Sequence, residues 1–431
     1  VTQTIAPPTA SQAPVTVVHP ANPVHRTGLR GALSRTPGRL RVAGVVSVIA
    51  AAAVGVIGWT TGLAQSQALS DADADTRQLV GIQDVRNDLV VADATATNAF
   101  LVGGLEPPQQ RARYDEAVAS AANGLAQLAG SNAADAELLG EATAGLTTYT
   151  GLVEQARANN RQGFPVGAAY LDQASAVLRT DVLPQLDELV QTNSDRVDAS
   201  FDSVGSVPWL LTLGILALAA LVVVQVWLAK RTHRRLNAGL FWATVLALAA
   251  SILGAVVLGS AAAKAGDARN GPYDATVSVS QAYSLANDAK SQESFTLIKR
   301  GSGAAYEEQF VLNTDEASEL LARPTVDPAL SPLLDDWVAS HQEIRALDDA
   351  GKWDEAVALA ISEEPGAPND VFETFSTAAS SSLEASAAQT HDALAGSGGS
   401  SVLIGWLMLV VGLLAAVLSW RGISKRVEEY R

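Results

Sequence analysis

Few residues in this sequence have the type and spacing that chemistry needs. Asp71-Ala72-Asp73-Ala74-Asp75 opens like a calcium loop, where alternate carboxylates offer hard oxygen ligands. Thr76 stands where the sharp-turn glycine belongs and Ile82 where the bidentate glutamate belongs, so the stretch reads instead as a solvated, capping acidic segment. Gly301-Ser302-Gly303 has Tyr306 in place of the third glycine of a dinucleotide fingerprint and no strand pattern before it, which predicts a loop. His19, His25, His233, His341 and His391 are dispersed, and no two have the spacing that puts metal ligands on one helix face. With no cysteine, disulfides, thiolate metal sites and cysteine nucleophiles are excluded. There is no phosphate-binding Gly-Lys-Ser/Thr loop, no kinase signature and no Gly-x-Ser-x-Gly elbow. The expectation is a protein that is not an enzyme and has no cofactor and no metal.

What organises the chain is its hydrophobicity. Only 17% of the 431 residues are charged, against about 25% in an average soluble domain. Four charge-free stretches are long enough to cross a bilayer, which takes roughly 20 apolar residues. They fall at 42–64, 208–229, 238–262 and 401–420. Trp59, Trp209 and Trp406 would lie near one membrane face, with Trp227, Trp242 and Trp420 near the other, as indoles favour the interfaces. The first span is longer than a signal-peptide core and follows an arginine-bearing tail, so it is expected to stay as an anchor.

Charge asymmetry gives an orientation. The tail 1–41, the loop 230–237 and the tail 421–431 together hold 13 of the 29 basic residues and 2 of the 45 acidic ones. The positive-inside rule puts these three segments in the cytoplasm and the acidic segments 65–207 and 263–400 outside. Residues 1–25, with five prolines, read as disordered. Within the spans the most polar long side chain is Gln225, near the inner end, which argues against a coupled carrier with a mid-membrane charge. Gly58 and Gly62, at GxxxG spacing, suit helix packing.

An internal repeat links the two acidic segments. Asp93-Ala94 followed by Phe100 corresponds to Asp288-Ala289 followed by Phe295, an offset of 195 residues. Tyr114-Asp115-Glu116 resembles Tyr306-Glu307-Glu308, and Asp181-Val182-Leu183 resembles Asp370-Val371-Phe372. Helical spacing is evident at Leu79, Ile82, Val85 and Leu89, and again at Val177, Leu178, Val182 and Leu186. Gly103-Gly104 with Pro107-Pro108, Gly130-Ser131-Asn132, and Gly163 with Pro165 divide the first segment into four helices, 67–102, 107–129, 132–161 and 165–205. The second divides at Gly301-Ser302-Gly303, around Pro324 to Pro332, and from Glu363 to Pro368. The predicted fold is therefore all-α: a polytopic membrane protein with four transmembrane helices and two tandem four-helix-bundle extracytoplasmic domains.

Anchor, four-helix bundle and anchor in succession resembles the ectodomain of bacterial chemoreceptors and related sensors. The doubled arrangement, with the Arg231-Thr232-His233-Arg234-Arg235 loop and an arginine-bearing tail, is similar to the actinobacterial four-span GlnX family. That resemblance implies a multi-pass sensor in the cell membrane. It would relay extracellular glutamine, glutamate or aspartate supply from a solute-binding lipoprotein to a cytosolic Ser/Thr protein kinase. It also directs attention to Arg77 and Arg86, on the helix where chemoreceptors hold an amino-acid carboxylate. Pairing with Asp73, Asp84 or Asp88 is the blander expectation for both. Lys230, Arg231, Arg234 and Arg235 are the candidate output surface, and otherwise set topology and touch lipid headgroups. The expected partners are the lipoprotein, the kinase and the bilayer; a homodimer is allowed and nucleic acid is not expected. The rival readings are a structural envelope scaffold and an accessory subunit of an exporter.

Overall fold

A computed structural model of the chain describes residues 36–232 and 237–428, and among these every regular element is helical. The tail 1–35 and the loop residues His233, Arg234 and Arg235 lie outside the described residues, as does the side chain of Arg231. Helix α1 (Thr36–Val102) runs 67 residues without a break. It stops at Gly103 and Gly104, whose φ angles of 69° and 64° favour glycine. Then come α2 (Pro108–Ser131), α3 (Ala136–Arg161), α4 (Val166–Val177), α5 (Leu183–Ser206) and α6 (Leu211–Thr232). The second half holds α7 (Ala238–Ala268), α8 (Asp274–Ile298), α9 (Ala304–Leu321), α10 (Leu330–Asp349), the short α11 (Trp353–Ala360) and α12 (Pro368–Glu428).

Two of the four helical paths through the membrane are unbroken rods and two carry defects with identifiable causes. α1 and α12 are continuous. α5 passes to α6 through a 3₁₀ turn at Val207–Leu210 that contains Pro208, and α7 passes to α8 through a π turn at Arg269–Tyr273 that contains Pro272. A second π turn, Leu178–Val182, joins α4 to α5 immediately before Pro184. Each defect lies beside a proline, whose missing N–H and bulky ring break the regular ladder.

Four helices, within α1, α4–α6, α7–α8 and α12, are apolar and long enough to cross a membrane. Their outward side chains include Ile49, Leu216, Val223, Ile252, Leu403 and Val417, all more than half exposed, as lipid-facing helices require. Spans one and four form the tightest pair. A Cβ added to Gly412 would lie 2.5 Å from the Gly55 Cα, and one added to Gly62 would lie 2.5 Å from the Ser401 carbonyl oxygen. Small residues thus bring the two backbones together, the packing expected of Gly62 from the sequence. Gly58 faces Met408. Trp59 and Trp406 meet with ring centroids 5.5 Å apart, at one end of this pair. Span two lies at the periphery, with 11% of its apolar window buried against 39% for spans one and four. Gln225 accepts a hydrogen bond from Thr244 Oγ1 at 3.1 Å, tying span two to span three.

Beyond the membrane spans, α1 to α5 form one bundle and α8 to α12 the other. Leu79, Ile82, Val85 and Leu89, the periodic residues of α1, are all at most 1% exposed, and Ile82, Val85 and Leu89 pack with Leu125, Tyr149, Val153 and Leu186. The second core centres on Phe310, Trp337, Phe372 and Phe375, and also holds Val279 and Leu334. Trp337 is fully buried, and truncation of such a side chain to alanine costs about 3–5 kcal/mol. The helix α11, between Gly351 and the Ser362–Ala367 turn, is an addition to the four segments read from the sequence.

The bundles stand side by side, with α1 against α8. Asn87 Nδ2 donates to Ser280 Oγ at 3.0 Å, Ser291 Oγ donates to Asp93 Oδ2 at 2.7 Å, and Arg86 reaches Ser284. Both helices advance in the same direction through these contacts, so they are parallel and the pairing offset stays close to that of the sequence repeat. α8 is consequently the most enclosed helix, buried through Ser291, Gln292, Glu293 and Ser294 as well as its apolar residues.

Candidate functional site

The seam between α1 and α8 concentrates the polar chemistry of the molecule. Buried polar groups need partners, and here the partners come from both bundles. Asp93, 1% exposed, accepts from Ser175 Oγ (2.6 Å) and Ser291 Oγ (2.7 Å) and pairs with Arg179 Nη2 (3.1 Å). The same guanidinium bonds Asp288 Oδ1 through Nε at 2.9 Å. Asp288 also accepts from Asn313 Nδ2 at 2.7 Å. Arg179 lies in the π turn before Pro184, where the extra residue per turn re-aims its side chain. Burial pushes the Asp93 carboxyl up, against the pull of Arg179 and the two serines.

A second cluster lies in the core of the other bundle. Lys290 Nζ meets Glu293 Oε1 at 2.5 Å, and His341 bridges Glu293 Oε2 (2.9 Å) to Glu307 Oε2 (3.1 Å), with Arg345 behind Glu307. The imidazole stacks on Phe310 at 3.7 Å between centroids. Burial would raise the Glu293 carboxyl, but Lys290 and His341 overcome it and hold the group down at about 2. The two glutamates hold His341 above its ordinary value, although burial opposes them.

A cavity of about 670 Å³ opens between the bundles on one side of this seam. α1 contributes Asp88 and Asn98, α2 contributes Gln110, Arg113 and Glu116, and α12 contributes Asn369 and Glu373. Arg113 pairs with Glu373 at 2.9 Å across the opening. Asn98, Gln110 and Asn369 form an amide chain: Asn98 Nδ2 donates to Asn369 Oδ1 and Gln110 Nε2 donates to Asn98 Oδ1, both at 3.3 Å.

Arg77 and Arg86 do not converge on this cavity or on each other. Arg77 is exposed and pairs with Asp73 at 2.6 Å within one helix turn, an arrangement worth about 0.3–0.5 kcal/mol. Arg86 departs from expectation: its partners are Asp187 on α5 at 2.8 Å and Ser284 on α8, not Asp84 or Asp88. The long side chain reaches across helices because α1 is shared by both bundles, so Arg86 is a strap between them. The acidic stretch at 71–75 is also corrected. It lies within α1 and caps nothing; Asp73 is 7% exposed and bound by His391 Nδ1 at 2.6 Å, and Asp75 accepts from Ser200 Oγ at 2.5 Å. Lys230 stands near the end of α6, exposed. Arg179, Lys290 and Glu293 carry no local motif, and the signal that leads to them is the repeated Asp93 and Asp288.

No curated protein and no solved structure matches the chain. Residues 68–202 match the family model described as an actinobacterial sensor domain. The matched segment is the first bundle, from the part of α1 beyond the apolar span to the end of α5. A sensor domain on four apolar helices fits an actinobacterial membrane sensor protein.

Proposed function

We propose that the chain is a non-enzymatic transmembrane sensor and adaptor that relays extracellular amino-acid supply, of the aspartate, glutamate or glutamine kind, to a cytosolic Ser/Thr protein kinase. In this reading both bundles lie outside the cell and the basic segments inside, as charge asymmetry indicates. The observation that carries the proposal is helix continuity. α1 runs from the bundle seam through the membrane without a break, packed against the equally continuous α12. A shift at the seam therefore has a stiff path to the inner ends of α1 and α12, where Leu40 of α1 shares a core with Leu221 and Leu228 of α6, the helix that leads to Lys230, Arg231, Arg234 and Arg235.

The acidic amino acid itself arrives on a partner, a solute-binding lipoprotein. An acidic ectodomain repels a free dicarboxylate within about 8 Å at physiological salt, and both candidate arginines are occupied by carboxylates. In this reading the lipoprotein docks at the membrane-distal tip of the first bundle, which carries exposed apolar side chains. Leu105 is 86% exposed there and Phe164 51%, on the adjoining loops. The test is recovery of the lipoprotein by the full-length sensor with and without its amino acid. Preferential recovery of the loaded form supports the reading, and equal recovery in both states contradicts it.

A further inference from the structure

A smaller cavity, of about 260 Å³, lies inside the tip of the first bundle. Its wall is apolar where α1 ends and α2 begins, at Ala96, Ala99, Phe100, Leu105 and Pro108. Its charged residues are Arg111, Arg157, Arg161 and Glu106, so cations prevail here in a chain whose net charge is -16. Arg111 is held by Asp115 and Glu154, each at 3.0 Å. Arg157 binds Glu106 through Nη2 and Glu154 through Nη1, both at 2.9 Å, and its guanidinium rests over the Tyr114 ring at 4.0 Å. Arg161, one turn further along α3 and exposed, has no ion-pair partner among the described residues. The pairing of Arg157 with Glu106 is an independent feature. The two side chains are only 11% and 17% exposed, and among the described residues this is the one side-chain hydrogen bond made by the loop 103–107. A carboxylate folded back onto a guanidinium beside an apolar wall is the arrangement that a carboxylate ligand with an apolar body would take.

We propose that this cavity binds a small monocarboxylate with an apolar, aliphatic or aromatic body, and that Glu106 fills the carboxylate position when no ligand is bound. The ligand's carboxylate replaces Glu106 on Arg157 and takes a second guanidinium from Arg161. These two arginines are four residues apart on α3 and so share a helix face. Tyr114 and Glu154 hold the Arg157 guanidinium in place, and its planar fork matches a carboxylate. The body of the ligand lies against Phe100, Leu105 and Pro108. A dicarboxylate such as glutamate is disfavoured, because its second charge would meet that apolar wall unpaired. Release of Glu106 frees the loop 103–107 from α3, and the loop turns on Gly103 and Gly104, with φ angles of 69° and 64°. Occupancy of the cavity thus acts on the tip directly, an input additional to a docked partner.

The test is calorimetric titration of phenylacetate into the full-length protein in zwitterionic nanodiscs at constant ionic strength, with empty nanodiscs as the baseline. Acetate, phenylacetamide and glutamate are titrated in parallel. Saturable phenylacetate binding is expected, with each of the other three at least about tenfold weaker. Arg161→Gln should weaken phenylacetate by about tenfold at an unchanged melting temperature. Glu106→Gln should tighten it by about threefold or more, because the competing carboxylate is gone, whereas a purely structural ion pair would leave the affinity unchanged or lower it. Absence of saturable phenylacetate binding, equal binding of acetate, phenylacetamide or glutamate, an unchanged affinity for Arg161→Gln, or an affinity for Glu106→Gln no tighter than that of the wild type would overturn the proposal. No lipoprotein enters the measurement, so failure of docking leaves this result unaffected.

Discussion

Asp93 and Asp288, which occupy equivalent places in the sequence repeat, bind one guanidinium: Arg179 lies 3.1 Å from the first carboxylate and 2.9 Å from the second. The two bundles meet at a shared seam with α1 and α8 parallel, and a single arginine bridges the acids that the sequence pattern pairs. Arg179→Met leaves Asp93 buried without its counter-charge and should cost about 3–5 kcal/mol. Asp93→Asn should cost less. Thermal unfolding of both variants in nanodiscs checks the order, and an unchanged melting temperature for Arg179→Met would contradict it.

The glycine contact between spans one and four predicts a position-specific effect. Gly412→Leu forces a side chain into the backbone of Gly55 and should destabilise by about 1–3 kcal/mol or separate the spans. Gly259→Ala, where an added Cβ meets nothing, should be neutral or stabilising by up to about 1 kcal/mol. Melting curves of the two variants make the comparison.

Glu293 and His341 should respond to pH in opposite senses, and Asp88 in the same sense as His341. Glu293 is held down at about 2, so its stabilising contribution is complete above pH ~4.5 and is lost as pH falls towards 2. His341 is raised, so its contribution is present below pH ~6.5 and lost as pH climbs through its folded value. The melting-temperature difference between the wild type and His341→Gln should therefore be largest near pH ~5–6 and shrink in alkali. Asp88 is pushed up to about 7 by burial and by Asp84 and Glu116. Its ionisation opposes folding as pH rises from 3.8 to about 7. Asp88→Asn should raise the melting temperature at pH ~8 and leave it unchanged at pH ~4.

Much of this architecture is legible in the sequence because its causes are local. Charge-free runs mark the spans, Gly103-Gly104 and Pro368 mark helix ends, and the three-and-four spacing from Leu79 to Leu89 marks the buried face of α1. The site is less legible because its contacts are distant in sequence. Arg86 has Asp84 and Asp88 as near neighbours in the chain, yet it bonds Asp187 and Ser284, since α1 faces α5 on one side and α8 on another. The buried Lys290, Glu293 and His341 look like surface residues in a polar stretch until α8 is enclosed by the second bundle.

The distal tip gives a docking prediction. Leu105→Asp and Phe164→Asp place charges on an exposed apolar surface, so folding should be unaffected while recovery of the loaded lipoprotein falls by about tenfold. Undiminished recovery would move the docking surface elsewhere.

The central claim is that an event at the bundles moves the inner ends of α1 and α12. The chain has no cysteine, so spin labels at Val42→Cys and Trp420→Cys, both exposed positions on these helices, report that distance directly. Pulsed electron–electron resonance in nanodiscs should show the distance distribution shift when the loaded lipoprotein is added and remain at its resting position with the empty lipoprotein. The same distribution in all three conditions, with the lipoprotein demonstrably bound, would contradict the account.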